Sequence, residues 1–232
     1  GSYRRGLRLP HGAAEVTLTP LPGHGAATLR LADLRDLAPA VARCRHLLDL
    51  DADPEAVDGT LAADPALAAA VAKDPGVRVP HAVDGFEMAV RAIVGQQVSV
   101  AAARTTLTRL ATAAAQHVDH EVVTPESAPD VRQPHDSRGG GLLGFPSVEQ
   151  VLGLPDAAFG MPAARRETLR GLARAVADGE LDLEPGADRT ELTRRLTALP
   201  GIGAWTAGYV AMRGAGDPDA FLATDLAVRR GA

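Results

Sequence analysis

The side chains best suited to chemistry lie close together near the C-terminal end of the sequence. Asp225 stands within Thr224-Asp225-Leu226, where a helix is predicted to begin, twenty residues after Trp205. The positive end of a helix dipole favours an ionised carboxylate, so Asp225 suits electrostatic or base catalysis better than acid catalysis. A helix cap is the alternative role. The neighbouring Asp217 and Asp219 fall in a Gly/Pro turn, which makes Asp225 the preferred candidate.

Aromatic side chains accompany this carboxylate. Trp205 and Tyr209 share one face of a predicted helix, and Phe221 shortly precedes Asp225. Such a stripe is usually part of a core. Next to a carboxylate it favours a pocket wall, because electron-rich rings attract cationic and electron-poor groups.

A glycine-rich turn precedes the aromatic helix in LPGIGAWTAGYVAMRG (199–214). Pro200 ends an amphipathic helix, Gly201 and Gly203 form a tight turn, and a second helix begins at once. The first N–H groups of that helix have no partner within it, and the dipole helps them to bind an anion. The pattern predicts a grip on one phosphate. An ordinary helical hairpin with a glycine turn is the alternative.

The elements that position these residues divide the chain in two. Alternating apolar and polar residues predict a small antiparallel sheet over 3–9, 14–18 and 27–31, and from residue 33 the apolar period is helical. The predicted helices are 34–48, 54–63, 65–72, 85–94, 99–116, 147–152, 162–179, 188–198, 204–213 and one beginning at 224. The fold class is α+β, with a mixed domain over 1–75 and a mostly helical core over 76–232. Within the core, 118–145 has no periodicity and is predicted to be a mobile loop.

The only cysteine, Cys44, allows no internal disulfide and fits a reducing compartment. It shares one predicted helix face with Leu34, Leu37, Val41 and Leu48, so we expect a core thiol. No apolar run is long enough to span a bilayer, and we expect a cytoplasmic protein that does not bind membranes.

Charge gives a mixed signal about partners. The net charge of −5 argues against nucleic acid, yet all basic residues except Lys73 are arginines, and many lie in the last third of the chain. An acidic protein can therefore still have a basic face.

These segments together resemble a known family. LPGIGAWTAGYVAMRG followed by FLATD is similar to the helix–hairpin–helix and Gly/Pro…Asp signature of base-excision DNA glycosylases, above all the 3-methyladenine DNA glycosylases II. LRDLAPAVARCRHLLDLDADP (34–54), AVDGFEMAVRAIVGQQVSVAAA (82–103) and GMPAARRETL (160–169) extend the resemblance over nearly the whole chain. The family begins earlier and continues past Ala232. We therefore expect the first strand to be missing and the helical core to be truncated.

The resemblance implies a DNA-3-methyladenine glycosylase that flips an alkylated purine out of damaged double-stranded DNA. Asp225 would then stabilise the positive charge that develops on the sugar as the N-glycosidic bond breaks. Water would be the nucleophile, without lyase activity, because Trp205 stands where bifunctional relatives carry a lysine. The implied base pocket is Trp205, Tyr209 and Phe221, and the implied DNA-binding residues are Gln96, Gln97, Gly201, Gly203 and Thr206.

Two further roles follow from the resemblance. The loop Gly95-Gln96-Gln97-Val98-Ser99 would insert Gln97 into the gap left by the flipped nucleotide, and a simple polar connector is the alternative. Hairpin carbonyls in this family can hold a monovalent cation, which by position implicates Thr197, Leu199 and Ile202. We expect no other cofactor and a monomer. The competing hypotheses are a non-catalytic helix–hairpin–helix module that only binds duplex DNA, and an inactive truncated fragment.

Overall fold

The computed structural model describes residues 1–121, 142 and 144–231. Within these residues a three-stranded antiparallel sheet at the N-terminus is followed by helices. The predicted α+β class is confirmed. The predicted division at residue 75 falls in the segment between the third and fourth helices and stays a prediction.

The sheet consists of β1 (Tyr3–Leu9), β2 (Gly12–Leu21) and β3 (His24–Leu31), paired in chain order. β2 and β3 extend beyond the strands predicted over 14–18 and 27–31, because they pair down to Leu21 and His24. Gly23, with a φ of 76°, lies in the short turn between them. Alternate residues face inward, so the buried side chains of the sheet are Leu7, Leu9, Val16 and Leu18.

The helix predicted over 34–48 is two elements. A 3₁₀ turn, Leu34–Asp36, is capped by the Asp33 side chain and precedes α1 (Leu37–Leu47). Asp36 is 1% exposed, and its carboxylate accepts the backbone N–H of His11 and lies 2.8 Å from His11 Nδ1. The 3₁₀ turn therefore places Asp36 where it connects the start of α1 to the β1–β2 turn.

Cys44 is buried against the sheet, as predicted, and burial raises the pKa of its thiol. The other residues predicted to share its buried face are exposed, from 38% for Leu48 to 82% for Leu34, with Leu37 and Val41 between these values. That part of the prediction was wrong. Periodicity identified an amphipathic helix, and in this structure Ala40 and Cys44 of α1 are buried in the core, while Leu47 packs against it partly buried.

Aspartate caps begin the next two helices. Asp53 and Asp64 accept backbone N–H groups at the starts of α2 (Pro54–Ala62) and α3 (Pro65–Lys73). Proline fits the first turn of each, because an N–H there has no partner within the helix.

The helical core forms around α4 (Gly85–Gly95), nine of whose residues are buried. It packs against α5, α8 and α10. The other helices are α5 (Val100–Glu121), α6 (Val148–Gly153), α7 (Asp156–Phe159), α8 (Ala163–Ala177), α9 (Arg189–Ala198), α10 (Ala204–Arg213) and α11 (Leu226–Gly231).

Two of these helices depart from the predicted pattern. α7 was not predicted, although its Phe159 is fully buried in the core. α5 continues to Glu121 and so occupies the beginning of the segment predicted as a mobile loop. Residues 122–141 and 143 of that predicted loop lie outside the described residues.

A carboxylate joins the sheet to the helical core. Glu87 on α4 is 4% exposed, and its two oxygens accept hydrogen bonds from Arg5 Nη2 on β1 at 2.6 Å and from Arg91 Nε at 2.8 Å. Both guanidinium groups compensate its burial.

A pair of histidines makes a second junction. The rings of His46 on α1 and His81 stack with centroids 4.6 Å apart. His46 Nε2 lies 3.1 Å from the carbonyl of Gly214, and His81 Nδ1 lies 3.0 Å from that of Met212. These contacts connect the N-terminal part to the end of α10. Burial, and then the neighbouring His81, lower the pKa of His46.

None of the helices in the part of the chain described here is both long and apolar enough to cross a membrane.

Candidate active site

A cleft of about 1590 Å³ brings three of the predicted site residues together. Trp205 and Tyr209 on α10 and Asp225 before α11 all line it. Side chains of the sheet, α1 and α4 line the rest. The cleft therefore lies where the N-terminal sheet meets the helical core.

Each oxygen of the Asp225 carboxylate has its own partner. Oδ2 accepts the indole N–H of Trp205 at 2.9 Å. Oδ1 accepts the backbone N–H of Ala227 at 2.8 Å and that of Val228 at 3.4 Å. One oxygen thus caps α11, while the other is oriented by an aromatic residue of the cleft. The capping role and a catalytic role are compatible.

These donors hold the pKa of the Asp225 carboxyl below its usual value. The Ala227 N–H contributes most, the Trp205 indole comes next, and partial burial opposes them. Hydrogen bonds to the charged form favour that form, so the carboxylate is ionised at neutral pH. It can stabilise positive charge or accept a proton, and it is a poor general acid.

Trp205 and Tyr209 form the aromatic surface of the cleft. Their rings are stacked with centroids 5.1 Å apart and planes 8° apart. The guanidinium carbon of Arg213, one turn further on, lies 6.0 Å from the Tyr209 centroid. Phe221 does not join this group: it is 76% exposed and does not line the cleft.

The hairpin between α9 and α10 uses its two glycines differently. Gly201 has a φ of 87°, and an added Cβ would lie 2.2 Å from Oγ1 of Thr168 on α8. Gly203 has an ordinary φ of −91°, and an added Cβ would meet no atom within 4 Å. The fold therefore requires glycine at 201. Gly203 and Ala204 are exposed, so the N-terminus of α10 faces solvent.

The carbonyl groups predicted to hold a cation lie in the same hairpin. The Leu199 carbonyl accepts the N–H of Ile202 at 3.1 Å, which leaves it a second lone pair. Together with the carbonyls of Thr197 and Ile202 it offers neutral oxygen atoms, the ligand type that hard cations prefer. The donor set fits a monovalent cation, whose binding stays a prediction.

Adjacent glutamines of the α4–α5 loop have contrasting environments. Gln96 is half-buried, and its amide donates to Thr206 Oγ1 at 2.9 Å and to the Gly201 carbonyl at 3.2 Å. Gln97 is exposed and has a left-handed φ of 55°. Ser99 Oγ accepts the N–H of Ala102 at 3.2 Å and so caps the start of α5.

Comparison with known proteins shows the family of this chain. The family model described as the AlkA N-terminal domain matches residues 1–84. The chain is 33% identical to DNA-3-methyladenine glycosylase 2 of Escherichia coli, over 98% of this chain and 74% of that protein. This chain belongs to the DNA-3-methyladenine glycosylase 2 family.

Two further known proteins share its sequence or its fold. A probable bifunctional transcriptional activator/DNA repair enzyme AlkA of Mycobacterium tuberculosis is 47% identical over 99% of this chain, which spans only 43% of that relative. The solved 3-methyladenine DNA glycosylase of Archaeoglobus fulgidus superposes with a TM-score of 0.77 at 22% identity, over 99% of this chain and 73% of that structure. The likeness to that structure concerns the fold.

Three residues near the site of this glycosylase-family chain were not predicted. Arg165 Nη2 donates to the Gln96 carbonyl at 2.8 Å, Thr168 Oγ1 donates to the Pro200 carbonyl at 2.9 Å, and Arg213 lines the cleft. Arg165 and Thr168 lie in the GMPAARRETL segment. Membership in that segment was the one signal that could have identified Arg165 and Thr168.

Proposed function

We propose that the chain is a monofunctional DNA glycosylase that hydrolyses the N-glycosidic bond of alkylated purines in duplex DNA. The hydrogen bond of 2.9 Å between Trp205 Nε1 and Asp225 Oδ2 carries this proposal, because it joins an ionised carboxylate to an aromatic surface in one cleft. The names of the relatives in Escherichia coli and Archaeoglobus fulgidus, which refer to 3-methyladenine and DNA, support the substrate class.

The proposed chemistry uses opposite charges. As the bond between the purine and the sugar breaks, positive charge develops on the sugar ring, and the Asp225 carboxylate stabilises it. The alkylated purine leaves readily because it is already electron-poor. Trp205 and Tyr209 offer it an electron-rich surface once it has been flipped out of the duplex.

Water is the proposed nucleophile. Trp205 has no amine with which to form a covalent intermediate, and Lys73, the only lysine of the chain, lies at the end of α3 outside the residues that line the cleft. The abasic DNA strand should therefore stay intact until alkali or heat cleaves it, and borohydride should trap no covalent adduct.

Two loops are proposed to hold the damaged duplex. The N–H groups after Gly203 would bind one phosphate with the help of the α10 dipole. The exposed Gln97 would enter the space left by the flipped nucleotide. We further propose that the protein acts as a monomer in the cytoplasm. A chain with one cysteine has no internal disulfide and so suits a reducing compartment.

Asp225→Asn in the full-length protein is the test. Asparagine caps helices about as well as aspartate but lacks the charge, so the variant separates catalysis from capping. With its oxygen toward the Ala227 N–H, its NH₂ group faces the indole N–H of Trp205, and that one hydrogen bond is lost. We expect single-turnover base release from alkylated duplex to fall by roughly two to four orders of magnitude, with DNA affinity unchanged and the thermal midpoint lowered by only about 2–4 °C, the effect of one lost hydrogen bond. Asp219→Asn, at an exposed carboxylate of the neighbouring turn, is the matched control and should keep full activity.

The outcomes separate the competing hypotheses. Full activity in Asp225→Asn would mean that the carboxylate only caps α11. A wild-type protein that binds duplex DNA and releases no base would instead be a non-catalytic DNA-binding module.

A further inference from the structure

One side chain ties the α4–α5 loop to the hairpin. The Gln96 amide nitrogen donates to Thr206 Oγ1 at 2.9 Å and to the Gly201 carbonyl at 3.2 Å, across more than a hundred residues of sequence. A glutamine amide has two N–H donors, and here both have an acceptor on the hairpin. Thr206 is itself 4% exposed, so its hydroxyl is turned away from solvent and toward Gln96.

Helix α8 donates hydrogen bonds to the same two loops. Arg165 Nη2 donates to the backbone carbonyl of Gln96 at 2.8 Å. One turn along α8, Thr168 Oγ1 donates to the Pro200 carbonyl at 2.9 Å. Gln96 is therefore fixed through both its side chain and its backbone, while the hairpin is fixed to the same helix.

The residue that follows Gln96 is strained. Gln97 has a φ of 55°, and among the described residues other than glycine only Asp49 shares a positive φ. A left-handed conformation is unfavourable for a side chain like glutamine and persists when its surroundings over-determine it. The contacts of Gln96 supply that constraint, and they leave Gln97 exposed at the tip of the loop.

We propose that Gln96 and Thr206 are positioning residues that hold Gln97 at a fixed distance from the hairpin. This rests on the proposed function, in which Gln97 enters the duplex while the hairpin binds a phosphate. Gln97 and the hairpin must contact the duplex at a fixed spacing, because the flipped nucleotide must reach Asp225. Gln96 and Thr206 act on the DNA through Gln97 and the hairpin backbone, without touching the reacting atoms.

The test is a double-mutant cycle in the full-length protein. Thr206→Val keeps the shape of the side chain and removes its hydroxyl, Gln96→Met removes the amide, and Thr206→Ser is the control that restores the acceptor. Base release from alkylated duplex is measured under single turnover. A second duplex carries 2-aminopurine opposite an abasic-site analogue, where its fluorescence rises as Gln97 disturbs its stacking.

We expect Thr206→Val to lower base release and the fluorescence increase about tenfold, the effect of one lost hydrogen bond. Gln96→Met, which also loses the bond to the Gly201 carbonyl, should lower both at least as much. The double variant should fall no further than Gln96→Met alone, since Gln96→Met already breaks the one contact that Thr206→Val removes. Thr206→Ser keeps the acceptor hydroxyl and should stay within about twofold of wild type. A purely structural role would alter thermal stability and leave the fluorescence response intact.

The results distinguish failure of this inference from failure of the proposed function. Wild-type fluorescence in both single variants, or additive losses in the double variant, would overturn the positioning role. If wild type raises the 2-aminopurine signal and releases no base, the glycosylase proposal fails, and the cycle read by fluorescence still decides the positioning role. A wild-type protein that gives neither signal overturns both.

Discussion

Gly201→Ala should destabilise the fold far more than any change at Gly203. Alanine at a left-handed φ costs roughly 1–2 kcal/mol. The new Cβ would also lie 2.2 Å from Thr168 Oγ1, and displacing a packed side chain costs about 1–3 kcal/mol. The sum is about 2–5 kcal/mol, which lowers the thermal midpoint of a chain of this size by about 10 °C.

A double-mutant cycle separates the two causes. Thr168→Ala removes Oγ1 and Cγ2 and leaves only the Thr168 Cβ, at 3.3 Å. In that background Gly201→Ala should cost only the backbone strain of about 1–2 kcal/mol. Thermal and urea unfolding followed by circular dichroism measure both differences. Gly203→Ser is the control for the turn, and its midpoint should stay close to wild type because serine caps helices well and its Cβ meets open space.

Two results would refute this reasoning. A Gly201→Ala protein with the same thermal and urea midpoints as wild type would show that neither the strain nor the clash exists in solution. If Gly201→Ala lowered the free energy of unfolding equally with threonine and with alanine at position 168, the clash would be excluded and backbone strain would remain as the cause.

Two further predictions concern DNA binding and pH. Gly203→Val should have a free energy of unfolding within about 1 kcal/mol of wild type. It should bind undamaged duplex about tenfold more weakly, as expected when one hydrogen bond to a charged phosphate is lost. Unchanged binding in a fluorescence-anisotropy titration would exclude this hairpin as the phosphate-binding element. The lowered pKa of His46 means that below the ordinary histidine range the unfolded chain binds a proton more readily than the folded chain. The free energy of unfolding should therefore fall as the pH drops below about 6.5. His46→Gln should weaken this pH dependence. The control His24→Gln changes an exposed histidine of the sheet and should leave the pH dependence as in wild type.

The elements of the fold were largely predictable, because caps and periodicity are local signals. Asp53 and Asp64, each followed by proline, specify where α2 and α3 begin. The surroundings of a helix were less predictable. Leu34 and Leu37 fit an amphipathic pattern, yet the pattern does not state which element covers the apolar face, and here both are exposed.

The candidate site was predictable in its residues and less so in their relations. Sequence spacing correctly predicted that Trp205 and Tyr209 share a helix face, and the resemblance identified Asp225 as the residue to place beside them. It also assigned Phe221 to the pocket, where an exposed segment before α11 carries it away from the cleft. The contact between Gln96 and Thr206 had no sequence signal, because only the tertiary fold brings these distant residues together.

The polar junction formed by Glu87 with Arg5, and by His46 and His81 with backbone carbonyls, affects how this architecture can evolve. Separating two apolar surfaces exposes them to water and invites aggregation, whereas separating charged and hydrogen-bonding groups lets water replace the lost partners. Each part also has its own hydrophobic core, one centred on the sheet and α1 and the other on α4. A lineage that lost or exchanged the N-terminal sheet would therefore uncover ion-pair and hydrogen-bonding groups at these two contacts. Gene rearrangement at this boundary should be tolerated more readily than rearrangement within either core.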